Sequence, residues 1–306
     1  MLVTGGTGFI GRHLVRALGA DGHRTSVWTR DPAAARQRLG ADVDCVARLE
    51  DLREPPGVVV NLAGARILGW PWTASRRHAL LASREGLTRQ LVDWIGTQTR
   101  SDGWPGLLIS GSAIGYYGVQ SEGDDAELAE DAPPRPLFMS ELCQRWEQAA
   151  QGATRHGWRL VRLRLGVVLG HQGALPQMLL PIRLGLGGPL AGGRQWCSWI
   201  HVEDVLRAIA FTWTQAEAQK SAGDNMDTVY NLTAPGAVRQ REFARTAARI
   251  LHRPCALPTP GLPMRLALGE QADLLLQGQR VVPRRLLERG FTFRFPDLPS
   301  ALADLC

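Results

Sequence analysis

The chain has 306 residues, 44% of them hydrophobic, and a formal net charge of +6. That is enough apolar material for a sizeable core in an α/β unit with an appended lobe, and no run approaches the roughly 18 apolar residues of a membrane span. The positive charge is almost wholly arginine, Lys220 being the only lysine, and it is dispersed. The pattern is that of a solvated surface and excludes a basic tail or nucleic-acid module.

The first strand is expected at Leu2–Thr4, so no leader is expected before it. Gly5, Gly8 and Gly11 follow at a spacing of three, and then an amphipathic helix, Gly11–Ala20. Such a turn lets backbone approach a dinucleotide diphosphate, with the helix N-terminus facing the phosphates. Strands Arg24–Trp28, Asp42–Cys45, Val58–Leu62, Gly106–Ser110 and Arg159–Leu165 alternate with helices Ala33–Leu39, Ala74–Thr99 (broken near Ser83) and Phe138–Arg155. This alternation predicts a Rossmann-type, doubly wound parallel sheet. Later segments read as a glycine-rich loop at Gly185–Gly193, a strand at Cys197–Ile200, a helix at Val202–Thr214, a polar loop at Lys220–Asp227 and a strand at Val229–Leu232. Short proline-separated helices from Ala234 onward form a smaller C-terminal substrate lobe. The boundaries expected are 1–170 for the cofactor core, with 197–232 returning to it, and 171–196 and 233–306 for the lobe.

The turn assigns Gly5, Thr7, Gly8, Phe9, Ile10 and Gly11 to the cofactor. At the tip of the second strand an acidic residue would favour NAD; Thr29 and Arg30 stand there instead, and a guanidinium suits the 2′-phosphate of NADP. Asp31 follows and is also within reach of the ribose. Leu62, Ala63 and Gly64 end the fourth strand with small residues against which a cofactor can lie. Arg84 either reaches the cofactor from the next crossover or lies on a helix surface. Ser110, at the end of the fifth strand, is a further cofactor contact. Ser112, Tyr116 and Tyr117 place hydroxyls where the nicotinamide is expected, and the alternative is a turn with packed tyrosines. Cys45, Cys143, Cys197, Cys255 and Cys306 contain no Cys-x-x-Cys pair, and the histidines no i,i+4 pair. The sequence thus predicts no metal site and a reducing, cytoplasmic setting.

Thr4–Gly11, Asn61–Gly64, Ser110–Gly118, Leu163–Gly170, Leu184–Pro189, Ser198–Asp204, Tyr230–Pro235 and Gly278–Pro283 together resemble the extended short-chain dehydrogenases/reductases. Within that group the chain is similar to the atypical, NADP-binding "epimerase family". The resemblance implies an NADP-binding core with a substrate lobe over the nicotinamide. It also implies a Tyr-x-x-x-Lys pair on the helix after the serine strand. The stretch Leu137–Trp146 has neither residue, and the only tyrosines are Tyr116, Tyr117 and Tyr230. Three alternatives remain: Tyr116 or Tyr117 acts, Glu141 or Cys143 acts, or there is no proton transfer at all. Two functions stay open: an NADP-dependent oxidoreductase or epimerase-like enzyme on a small polar or nucleotide-linked substrate, and a non-catalytic NADP(H) sensor. The expected pocket wall is Tyr116, Tyr117, Leu175–Leu180, Trp196, Trp199 and Gln277–Arg280.

Overall fold

A computed structural model describes residues 1–67, 69, 72–98, 106–121, 123–218, 227–258, 260–261, 266 and 269–306. The first half runs β1 (Leu2–Thr4), α1 (Phe9–Ala20), β2 (Ser26–Trp28), α2 (Pro32–Leu39), β3 (Asp44–Val46), β4 (Val58–Asn61), α3 (Ala74–Leu81), α4 (Leu87–Gly96), β5 (Leu107–Ala113), α5 (Phe138–Gln151) and β6 (Arg159–Leu165). It continues β7 (Val167–Leu169), α6 (Leu175–Arg183), β8 (Trp196–Cys197), β9 (Trp199–His201), α7 (Val202–Ala218), β10 (Asp227–Leu232), β11 (Val238–Arg239), α8 (Gln240–Ile250), α9 (Arg284–Glu288) and α10 (Leu298–Leu305). Seven strands form one sheet in the order β3-β2-β1-β4-β5-β6-β10, and every pairing in it is parallel. The order reverses between β1 and β4, the point at which doubly wound sheets open a crevice at their carboxyl edge.

Alternation along the strands sends Val3, Val60, Ile109 and Leu163 to the face covered by α1 and α7. Leu2, Val59, Leu108 and Leu160 go to the opposite face, under α4. Burial on both faces explains the uninterrupted Val58-Val59-Val60 run. A second core joins Leu175, Leu179 and Ile182 of α6 with Phe243 and Ala247 of α8 and Leu298 and Leu302 of α10.

Several expected element ends move, and the expected break near Ser83 is present. β5 continues past Ser110 to Ala113, because β6 keeps pairing with it through Gly111, Ser112 and Ala113; Ser112 is therefore in a strand and not in a loop. The break near Ser83 is a π-helical segment, Ala82–Gly86, between α3 and α4. Helix α5 ends at Gln151 and gives way to a 3₁₀ segment, Gly152–His156. Thr99 and Lys220 lie outside the described residues, and the strand expected at Val229 begins at Asp227.

Candidate functional site

The glycine turn is closed by the Gly8 N–H, which donates to the Gly5 carbonyl at 2.9 Å. Gly5 has φ +68°, and a Cβ there would lie 2.7 Å from the Leu62 carbonyl oxygen. A Cβ on Gly11 would lie 2.2 Å from the Gly5 oxygen, so neither position admits a side chain. Gly8 is different. It is exposed, its backbone is extended with φ −74°, and a Cβ there would be 3.1 Å from the Gly5 oxygen. It is the N-cap of α1, yet no side chain caps that helix and no acidic residue sits in its first turn. Thr7, Phe9 and Ile10 beside it are partly exposed. The free N–H groups and the positive end of the helix dipole are thus left for an external anion. This cradle, which a side chain at Gly8 would fill, fits a diphosphate.

At the tip of β2, Thr29 is half-buried and Arg30 exposed. The Asp31 carboxylate accepts a hydrogen bond from the Ala34 N–H at 2.9 Å and caps α2. Across the switch point, the Thr4 hydroxyl donates to the Asn61 side-chain oxygen at 2.7 Å, and the Asn61 amide donates to the Thr88 hydroxyl at 2.8 Å. The Ala63 N–H donates to Thr4 Oγ1 at 3.2 Å. This buried network holds Leu62, Ala63 and the exposed Gly64 in place. Ser110 is part of it: its hydroxyl is 1% exposed and accepts from the Asn61 amide at 3.4 Å.

Arg84, in the π-helical segment, is no helix-surface arginine; it is only 7% exposed. Its guanidinium donates to the Ala65 carbonyl at 3.0 Å and stacks over the Trp146 ring at 5.3 Å. A Cβ on Gly64 would sit 2.9 Å from its Cζ. Burial, with a smaller contribution from Arg76, holds the Arg84 pKa below the usual guanidinium value. A single π-helical turn inside a helix is a frequent mark of a functional site.

The three hydroxyls expected to carry chemistry differ sharply. The Ser112 hydroxyl is buried and donates to Glu147 Oε1 at 2.7 Å. Glu147, on α5, is itself held by Arg164 at 2.8 and 2.9 Å and by Arg162 at 3.1 Å. Tyr117 is 1% exposed; its hydroxyl donates to Asn231 at 2.7 Å and accepts from Arg164 at 2.9 Å. Burial pushes its phenol up to about 12. Tyr116 keeps partial exposure, and the Arg164 guanidinium lies 3.4 Å from its ring centroid. The alternatives on α5 fare differently. Cys143 is buried, and burial pushes its thiol up to about 12. Glu141 is exposed and pairs with Arg145 at 3.4 Å.

Glu147, Arg162 and Arg164 escaped the sequence reading, although the arginines of Arg159–Leu165 interrupt an otherwise apolar strand. The expected pocket wall is also corrected. Trp199 is fully buried in the lobe core, its indole N–H donating to the Gly236 carbonyl at 2.9 Å. Tyr117 is likewise packed inward. Trp196 does lie at a surface, with Arg239 at 3.9 Å and Arg280 at 4.9 Å from its ring. Asp125 accepts from the Trp196 indole and from Arg239. The Ser198–Asp204 block ties the lobe down. The Ser198 hydroxyl donates to the Gln279 carbonyl at 2.7 Å, and buried Asp204 accepts from the backbone N–H groups of Arg294 and Phe295 at 2.8 and 2.9 Å.

Comparison with known proteins agrees with this geometry. Residues 1–233 match the NAD dependent epimerase/dehydratase family, and residues 259–305 match a domain of unknown function, DUF1731. The chain is 37% identical to the epimerase family protein YfhF of Bacillus subtilis, over 99% of this chain and 96% of that protein. It is 36% identical to the chloroplastic SDR39U1 homologue of Arabidopsis thaliana, over 98% of this chain and 84% of that one. The crystal structure of the human epimerase family protein SDR39U1 with NADPH superposes with a TM-score of 0.83 at 33% identity, covering 99% of this chain and 98% of that chain. With a Rossmann-type sheet, a glycine cradle at its switch point and relatives matched over most of their length, the chain belongs to the NAD dependent epimerase/dehydratase family.

Proposed function

We propose that the chain is an NADP(H)-dependent oxidoreductase or epimerase-like enzyme acting on a small polar or nucleotide-linked substrate in the cytoplasm. The observation that carries the NADP reading is the tip of β2, where Arg30 is free at the surface while the neighbouring carboxylate of Asp31 is committed to capping α2. The NADPH in the human relative's crystal structure supports the same preference. Gly5, Thr7, Gly8, Phe9, Ile10 and Gly11 would hold the diphosphate, Thr29 and Arg30 the adenosine ribose and its phosphate, and Leu62, Ala63 and Gly64 the wall beyond. Ser110 and Arg84 brace that wall from behind. When bound, the nicotinamide supplies a hydride donor or acceptor.

The proton chemistry falls to the end of β5. Tyr116 is the phenol of that segment with exposure to a ligand, and Arg164, fixed by Glu147, sets its ring orientation. Ser112 and Tyr117 support it from beneath through Glu147 and Arg164. The second reading, a non-catalytic NADP(H) sensor, is favoured by one observation: the Ser112 and Tyr117 hydroxyls are both buried and already bonded. Incubating the protein with NADPH and a panel of carbonyl compounds and nucleotide sugars separates the two. Turnover of any member establishes the enzyme; NADPH binding without turnover across the panel favours the sensor.

A further inference from the structure

The buried and half-buried arginines of this site fall into two kinds. Arg162 and Arg164 are balanced by carboxylates: Glu147 bonds both, and Asp227 bonds Arg162 at 2.8 Å. Arg84 is balanced by none among the described residues. Its partners are the Ala65 carbonyl, the Ser83 hydroxyl at 3.4 Å and the Trp146 ring. Arg76, on α3, donates to the Arg66 carbonyl, and its buried Nε has no hydrogen-bond partner among the described residues. Arg76 is also close enough to Arg84 to disfavour its charged form. A buried charge without a counter-charge is costly, and a half-buried like charge close by adds to the cost. Folds tolerate such a pair where an anion completes it.

The surroundings suit a ligand. The Arg84 guanidinium takes the space beside exposed Gly64 that a side chain would otherwise fill. Trp72 and Phe138 meet edge to face at 5.2 Å between the loop after β4 and the first turn of α5. That turn is where the tyrosine of the missing pair is expected, and it carries Phe138 and Met139 instead. Planar guanidinium forks recognise oxyanions in two-pronged fashion.

We infer that Arg84 and Arg76 form an anion subsite beside Gly64 that takes the carboxylate or phosphate group of the substrate. The inference rests on the reading of this cleft as a cofactor and substrate site, and it narrows the substrate to an anionic compound.

Calorimetric titration of the full chain, saturated with NADPH, with oxalate and with inorganic phosphate tests it. Saturable binding of at least one anion is expected, and the stronger of the two identifies the chemistry. Arg76→Gln and Arg84→Met should each weaken that binding roughly tenfold or more, while in Arg76→Gln NADPH affinity, followed by fluorescence, changes far less. Absence of saturable binding of both anions would overturn the inference. So would unchanged anion affinity in both variants, or a loss of NADPH affinity in Arg76→Gln that matches its loss of anion affinity, since the pair would then serve the cofactor. If Arg84→Met fails to fold by circular dichroism, Arg76→Gln, at a half-buried position, decides. Anion binding to a chain that does not bind NADPH would remove the cofactor reading and leave this one standing.

Discussion

Asp31 and Arg30 are adjacent, but one Asp31 carboxylate oxygen is engaged at the N-cap of α2 while the Arg30 guanidinium is exposed. The carboxylate completes the first turn of α2, which leaves the guanidinium to set cofactor choice. Replacing Arg30 by Ala should therefore remove most of the preference for NADPH over NADH, a loss of about ten- to a hundredfold for one charged hydrogen bond of ~1.5–3 kcal/mol. Tryptophan fluorescence titration with both cofactors measures it, and equal affinities before mutation would defeat the assignment. Gly8→Val makes a complementary test. The backbone at Gly8 has a negative φ and the position is exposed, so the variant should fold with unchanged circular dichroism. Its side chain would occupy the cradle, and NADPH binding should be lost. The tyrosines divide the same way. Tyr116→Phe should abolish hydride transfer in single turnover if the phenol supplies the proton. Tyr117→Phe should instead lower stability, because it strands the Asn231 oxygen and one Arg164 N–H.

At the level of elements, α5 and β6 are joined by charge. Glu147→Gln leaves Arg164 buried without its carboxylate, and breaking such a pair costs roughly 3–5 kcal/mol. A large fall in thermal midpoint is expected, with less effect from Glu141→Gln, whose carboxylate is exposed. This junction also marks the limit of what the sequence discloses. The strand and helix alternation, the glycine turn and the helix break at Ser83 are local: each follows from periodicity or from a residue that fits one backbone conformation. Ser112 shows the contrary case. Its position near a strand end is legible, but the direction of its hydroxyl depends on Glu147, which lies 35 residues away. Trp199 misled for a related reason. An aromatic beside a polar motif suits a cleft wall or a core equally, and only the packing of α6, α8 and α10 places it in the core.

Across the whole molecule, the C-terminal segment packs on the small β7–β9 sheet through His201. The imidazole is buried and stacked on Phe295 at 3.9 Å. Its Nδ1 accepts from the Glu203 N–H at 3.1 Å, which puts the proton on Nε2. Nε2 lies 3.3 Å from the Asp304 carboxylate of α10. Burial lowers its pKa, against opposing contributions from Asp304, Glu203 and Asp204. A histidine held neutral in the fold binds its proton more readily when unfolded. Its contribution to stability is therefore complete above the unfolded value of about 6.5 and declines as pH falls below it. Thermal midpoints measured from pH 8 to pH 5 should fall toward the acid end, and His201→Gln should flatten that slope.

The sheet order carries a consequence for the chain as it is made. β6 gains its outer neighbour only when β10 is added, after β7, α6, β8, β9 and α7. Until then β6 is an open edge, the kind of strand that recruits other chains. Arg159, Arg162 and Arg164 give that edge charge while it waits. Arg162 then grips Asp227, the first residue of β10, through Nε at 2.9 Å and a terminal nitrogen at 2.8 Å. The same side chain that guards the unfinished sheet also fastens its last strand, so Arg162→Val should increase aggregation on the ribosome and during refolding more than its effect on the finished protein would suggest.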